Sequence, residues 1–272
     1  MNDRVRIEIR DGVADVRLVR ADKMNALDDA MFKALIDAGQ RLKSEEGVRC
    51  VVISGEGRAF CAGLDAGNFG RMAEGGDRDA PRAKRPAEVL GEREYGVANR
   101  AQYAVWVWRE VPVPVIAAVH GVAFGGGFQL MLGADMRYVA PDTRLSIMEI
   151  KWGLIPDMAG TQLMRHLVRE DIVRELSYTG RIFSGTEAGQ IGFATRVCDD
   201  PYAEALAVAR EIAGKSPDAI RAGKRIFNAA PYTDPAGGFL QETVEQVTLI
   251  GSANQVEAVM ANLQKRAPNF AD

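Results

Sequence analysis

With 272 residues, 47% of them hydrophobic and 26% charged, the chain can bury a full core, and nothing in its composition suggests wholesale disorder. A net charge of −3 gives no electrostatic case for nucleic acid as a partner. Cys50, Cys61 and Cys198 are too few and too widely spaced for a disulfide framework, and with only His120 and His166 beside them no metal site is expected. The longest apolar run, Val111 to Val119, is broken by Pro112 and Pro114, so no membrane span is expected. The charged start, Met1-Asn2-Asp3-Arg4, lacks an apolar leader, and free thiols suit a reduced compartment; the expected setting is cytoplasmic.

Val5–Ile9 and Val13–Val19 alternate apolar with polar around Asp11-Gly12, the signature of a hairpin. Asn25-Ala26-Leu27-Asp28 leads into a helix carrying Met31, Leu35, Ile36 and Leu42 at helical spacing. Val48–Ser54 reads as a strand. Arg58-Ala59-Phe60-Cys61-Ala62-Gly63-Leu64-Asp65 is small, apolar and too short for a helix. From Gly67 to about Glu92 glycines, prolines and charges dominate, as in a long loop beside something functional. Glu92–Arg109 is a helix candidate whose Tyr95, Tyr103, Trp106 and Trp108 read as core, since no basic groove accompanies them.

Next comes a run of short apolar residues behind Pro112 and Pro114, which reads as a buried strand, and then Gly125-Gly126-Gly127 ahead of Phe128, Gln129 and Leu130. A glycine turn feeding a helix presents unpaired backbone N–H groups and a favourable dipole to an anion, either a bound phosphate or an oxyanion formed in a reaction. The same glycines could instead serve a tight turn alone. Ala134–Ala140 and Leu145–Ile147 read as strands, Glu149–Asp157 as irregular, and Met158–Leu167 and Asp171–Thr179 as short helices. From Thr186 onward helical periodicity dominates, with breaks at Pro217 and Pro231, so the class is α/β.

Taken together, Arg58–Asp65, Ile116–Gly121 with Gly125-Gly126-Gly127, and Glu149 with Gly153-Leu154-Ile155-Pro156 resemble the crotonase, or enoyl-CoA hydratase/isomerase, superfamily. Lys23-Met24-Asn25-Ala26-Leu27 and Gln264–Phe270 match the same pattern in order. The resemblance implies a spiral of ββα turns over residues 1–198 and a helical region over 199–272 that builds trimers or hexamers. It implies an acyl-CoA substrate, with coenzyme A as part of that substrate and no further cofactor. Its oxyanion-hole donors fall on Leu64 and Gly126. Its CoA contacts fall near Lys23, Ala26, Leu27, Arg58, Ala62, Leu64 and Asp65, with Lys23 and Arg58 as candidate phosphate ligands.

Hydratases of this family carry two glutamates; here the second is Glu149 and the first is replaced by Gln129. An amide holds a water by hydrogen bonds but neither accepts nor releases a proton at neutral pH, and a positioned acid or base is worth ~100- to 10,000-fold. Asp157, eight residues after Glu149, stands where the dienoyl-CoA isomerase branch has an acid, although that branch also has one at the Gln129 position. The expected activity is therefore acyl-CoA double-bond isomerisation, with Glu149 as base and Asp157 as partner acid. The alternative is hydration of 2-enoyl-CoA, with Gln129 orienting the water. Asp157 could also cap the helix that follows it. A non-catalytic acyl-CoA-binding protein is the reading from another class. RNA binding, known in a branch with a lysine-rich helix, lacks a basic face here: Lys33, Arg41 and Lys43 are set against Asp28, Asp29, Asp37, Glu45 and Glu46. No GxSxG, GxGxxG or Walker A pattern is present.

Overall fold

The computed structural model describes residues 3–68 and 91–272. The loop expected over 67–92 lies, from 69 to 90, outside the described residues. Strands β1 (Val5–Arg10) and β2 (Val13–Leu18) pair as an antiparallel hairpin, with Val5 opposite Leu18. Its turn puts Asp11 and Gly12 at φ 51° and 77°, the geometry that Asp-Gly favours. Strands β3 (Cys50–Gly55), β4 (Val115–Val119), β6 (Met136–Val139) and β9 (Arg196–Val197) extend this into one sheet, ordered β1-β2-β3-β4-β6-β9 and parallel after the hairpin. A second sheet joins β5 (Val122–Phe124), β7 (Arg144–Ser146) and β8 (Phe183–Ser184), and Cys61 bridges onto Ala123 at its edge. Successive turns of chain thus lay one strand in each sheet: β3 then Cys61, β4 then β5, β6 then β7.

The central strands are buried on both faces, so they read as unbroken apolar runs. Val51, Ile53, Ala117 and Val119 join the main core. It also takes in α1 (Asp29–Ser44) and α2 (Arg100–Glu110). Cys50, Val52, Ile116 and Ala118 face the other way, onto Ala205, Ala209 and Ala213 of α7 (Pro201–Ala213). Helix α7 therefore packs as a layer of the sheet, and the passage to the helical region expected at 198/199 falls ahead of a helix that belongs to the core.

Helix α2 begins later than the expected 92, for a local reason. Tyr95 and Ala98 exchange backbone hydrogen bonds of 3.2 and 3.0 Å, and Asn99 with Gln102 forms a capping box. Tyr103 and Trp108 are buried and Tyr95 stacks on Tyr103 at 4.3 Å, so the aromatic stripe is packing, as expected. Helix α3 (Gly126–Leu132) is buried throughout. After it come α4 (Gly160–Met164), α5 (Glu170–Thr179), α6 (Gly185–Ile191), α8 (Pro217–Ala229), α9 (Pro235–Leu249) and α10 (Ala253–Gln264). Lys224 ties α8 to the core: its buried Nζ donates to Val113 O at 2.8 Å and Trp108 O at 3.2 Å and pairs with Asp135 at 2.8 Å. All three cysteines are free, and burial pushes the Cys50 and Cys61 thiols up to about 12. Among the described residues no acid, histidine or cysteine cluster could hold a metal ion, and no helix is long and apolar enough to cross a membrane.

Candidate active site

Two chain segments lie side by side at the top of the sheets. Residues 24–27 follow the short turn Ala21–Lys23 and are stitched to 62–65 by Ala62 N to Met24 O (2.9 Å), Leu27 N to Gly63 O (2.8 Å) and Asp65 N to Leu27 O (3.0 Å). Asn25 is the knot. It is fully buried in the left-handed region (φ 55°), accepts from Arg20 N at 2.9 Å, and donates to Glu56 O and Ala59 O at 3.0 and 2.9 Å. On its other side the 58–65 loop runs along β5, through Phe60 N to His120 O (3.0 Å), Cys61 N to Val122 O (3.0 Å) and Phe124 N to Cys61 O (3.2 Å).

This pairing brings Leu64 beside the glycine turn. A Cβ on Gly63 would stand 2.5 Å from Phe124 O and 3.7 Å from Gly126 N, and one on Gly127 would stand 2.2 Å from Cys61 O, so only glycine permits the approach. Leu64 N and Gly126 N find no backbone acceptor among the described residues, and Gly126 is the first residue of α3, where such donors are left over. Leu27 and Met158 line the same place: a Cβ on Gly126 would meet Leu27 Cδ1 at 2.8 Å and Met158 Sδ at 2.7 Å. The two backbone donors expected from the sequence are thus neighbours.

Glu149 opens a single 3-10 turn (Glu149–Trp152) that ends at Gly153 in the left-handed region (φ 69°). Its side chain reaches back to the glycine turn, with Oε1 3.4 Å from where a Cβ of Gly125 would be. The residue is only 9% exposed; Oε1 accepts from Gln129 Nε2 at 2.6 Å, while Oε2 is buried and accepts no hydrogen bond. Burial pushes its carboxyl above the usual carboxylate range and the Asp157 charge adds to this, while its own N–H and the Gln129 amide pull partly back. Asp157 is itself solvent-exposed, but the protein crowded around its carboxyl raises its pKa as well. The dry carboxyl of Glu149 thus lies beside the glycine turn, and the exposed Asp157 is near enough for its charge to act on it.

Asp157 does not cap a helix. Helix α4 starts at Gly160 rather than at the expected Met158, its N-cap is Ala159 at φ 64°, and no side chain caps it. The reason lies in Gln129, which is fully buried: its Oε1 accepts from both Met158 N (2.8 Å) and Gly160 N (2.9 Å). Those contacts left no signal in the sequence, because Met158 and Gly160 act through backbone N–H groups that every residue but proline has.

The expected CoA contacts divide. Lys23 and Arg58 are exposed, form no ion pair among the described residues, and sit on turns that abut where a Cβ on Gly57 would stand 2.8 Å from Ala21 Cβ. Both cations are available to a phosphate. Ala26, Leu27 and Ala62 are held in the ladder described above, with Ala26 O also accepting from Arg20 at 3.0 Å. Asp65 is different: its carboxylate accepts from Gly67 N at 2.8 Å and pairs with Arg20 at 2.6 Å, contacts that hold it below the usual carboxylate range. Its side chain is spent on the loop itself. Arg20, a residue that sequence reading passed over, thereby braces the loop that carries Leu64.

Unbonded backbone N–H groups with a dry carboxyl near them are an arrangement that can hold an oxyanion beside a proton acceptor. The enoyl-CoA hydratase/isomerase family model matches residues 8–272, and the chain belongs to that family, within the crotonase superfamily. It is 29% identical to methylglutaconyl-CoA hydratase of Mus musculus over 95% of this chain and 79% of that one. It is also 29% identical to the Delta(3,5)-Delta(2,4)-dienoyl-CoA isomerase of the same organism over 93% of this chain and 77% of the other. The crystal structure of enoyl-CoA hydratase from Bacillus anthracis superposes with a TM-score of 0.86 at 26% identity, covering 98% of each chain. The α/β spiral with a helical C-terminal region is thus the fold of this enzyme family, and its members act on acyl-CoA thioesters.

Proposed function

We propose that this enzyme moves a double bond in an enoyl- or dienoyl-CoA. The observation that carries this is the state of Gln129 and Glu149. The amide carbonyl is taken by two backbone donors and one N–H by Glu149, so Gln129 has no free acceptor to place a water. Glu149 keeps one oxygen unpaired beside the glycine turn. In the proposed reaction Glu149 takes a proton from the substrate carbon activated by the thioester. Leu64 N–H and Gly126 N–H hold the enolate oxygen. Asp157, whose charge acts on Glu149, returns a proton at the far carbon of the conjugated system. Lys23 and Arg58 meet the CoA phosphates, and the only cofactor involved is the CoA of the substrate itself.

A panel of 3-enoyl-, 3,5-dienoyl- and 2-enoyl-CoA thioesters tests this reading. Consumption of the first two supports it. Consumption of the 2-enoyl thioester alone would favour hydration, the activity named for the Mus musculus hydratase. Asp157→Asn is expected to lower isomerase turnover ~100-fold or more. Its melting temperature at neutral pH should not fall below that of wild type, because Asp157 caps nothing and burial already disfavours its charge. A loss of stability with full turnover would reverse the assignment.

The apolar residues Phe239, Leu240 and Val247 of α9, Ile250 directly after it, and Leu263 of α10 are all exposed in the single chain. They support assembly into a trimer or hexamer through the helical region. Sedimentation should give a multiple of three chains; a monomer at micromolar concentration would refute it.

A further inference from the structure

We infer that Gln129 is a positioning residue that selects Oε2 of Glu149 as the oxygen that carries the proton. This rests on the reading of Glu149 as the base. A buried amide could in principle sit either way round, but here the choice is forced. Two backbone donors, Met158 N and Gly160 N, point at one end of the side chain, so that end must be the carbonyl oxygen. The NH₂ end then faces Glu149 Oε1 at 2.6 Å. An oxygen that is receiving an N–H bond at that distance is the poorer place for a proton, and Oε2 has no hydrogen bond to oppose one. The C–H electron pair passes into the thioester enolate and the proton passes to Oε2, so the step balances without a further reactant.

The same side chain also fixes the partner acid. Met158 directly follows Asp157, and the two bonds to Gln129 span Ala159 in its left-handed conformation (φ 64°). One fully buried amide therefore sets both the rotation of the Glu149 carboxyl and the path of the turn that presents Asp157. A glutamate at this position would keep an acceptor for the two N–H groups but would set a carboxylate 2.6 Å from Glu149 in place of a donor. Two carboxyls that close share a proton, and one of them ionises only at a higher pH. The other groups bearing on the Glu149 carboxyl are Asp157 from the turn before α4 and the N–H of Glu149 itself. Both are present equally in wild type and variant.

The test is the pH dependence of kcat for Gln129→Glu against wild type, measured on whichever CoA thioester the enzyme turns over. Turnover by the base form rises with pH through the Glu149 pKa. The variant's acidic limb should lie about one pH unit or more above wild type, with kcat at neutral pH down ~10-fold or more. KM should change less than about threefold. A merely supporting side chain would lower kcat and stability without moving the limb, and that result overturns the proposal. Gln129→Met, which removes the donor without adding charge, should move the limb in the same direction by less. If neither variant folds, Gln129 serves stability alone and the proposal is wrong. These outcomes are separate from Glu149→Gln, whose retention of turnover would instead remove the base.

Discussion

Replacing Glu149 by Gln is expected to abolish turnover and, at neutral pH, to make the protein harder to unfold. The loss of rate follows from removing the proton acceptor beside the oxyanion donors, an effect of ~100- to 10,000-fold. The gain in stability follows from burial. Glu149 is 9% exposed, and its Oε2 has no hydrogen bond. Its pKa in the folded protein is raised above the ordinary 4.5, chiefly by burial. A carboxyl with a raised folded pKa contributes fully below the unfolded pKa, and that contribution is lost as pH rises through the folded value. The wild type therefore bears a cost above this window that the neutral amide does not. Thermal melts at pH 4 and pH 7.5 check the sign. The variant should gain at pH 7.5, by roughly 2–4 °C for each kcal/mol relieved, and lose the gain at pH 4. Equal differences at both pH values would contradict the raised pKa, and turnover near wild type would take Glu149 out of the chemistry.

Gly63→Ala should be nearly as damaging, although it removes no functional group. At φ 89°, with Phe124 O 2.5 Å from where its Cβ would lie, an alanine must push the backbone. The loop cannot retreat on the other side, because Gly63 O accepts from Leu27 N and Asp65 N donates to Leu27 O. The strain falls on the line between the 63–64 peptide and Phe124-Gly125-Gly126, and the two oxyanion donors move apart. Loss of one such donor costs ~100- to 1000-fold in kcat. A strained non-glycine residue costs only about 1–3 kcal/mol in stability, so circular dichroism should still show a folded chain. A variant with normal kcat would mean that Leu64 N–H is not a donor to the reaction.

Where residue type itself carries the physics, the sequence was legible. Asp-Gly marks the β1–β2 turn, apolar runs mark the two-faced strands β3 and β4, and the triple glycine marks a close approach that the structure places against Cys61. The 63–64 peptide lies beside Gly126 and the Glu149 carboxyl beside Gly125, close neighbours that are distant in the chain. What stayed hidden works through the backbone or through distant partners. Nothing in the residue types of Met158 or Gly160 announces that their N–H groups grip Gln129 and delay α4. Arg20 finds Asp65, 45 residues away, and turns an expected CoA contact into a brace for the loop. The helix before β4 starts at Arg100 because of a capping box that periodicity alone does not register. Helix α7 reads as the start of a helical tail, yet its alanine face fits the outer side of the sheet.

In the proposed reaction a proton is moved and no water is added. Mass spectrometry of the product from 3-enoyl- or 3,5-dienoyl-CoA tests it most directly. The expected product has unchanged mass and a relocated double bond, and is formed by wild type and not by Glu149→Gln. A product heavier by one water, formed only from the 2-enoyl thioester, would contradict it.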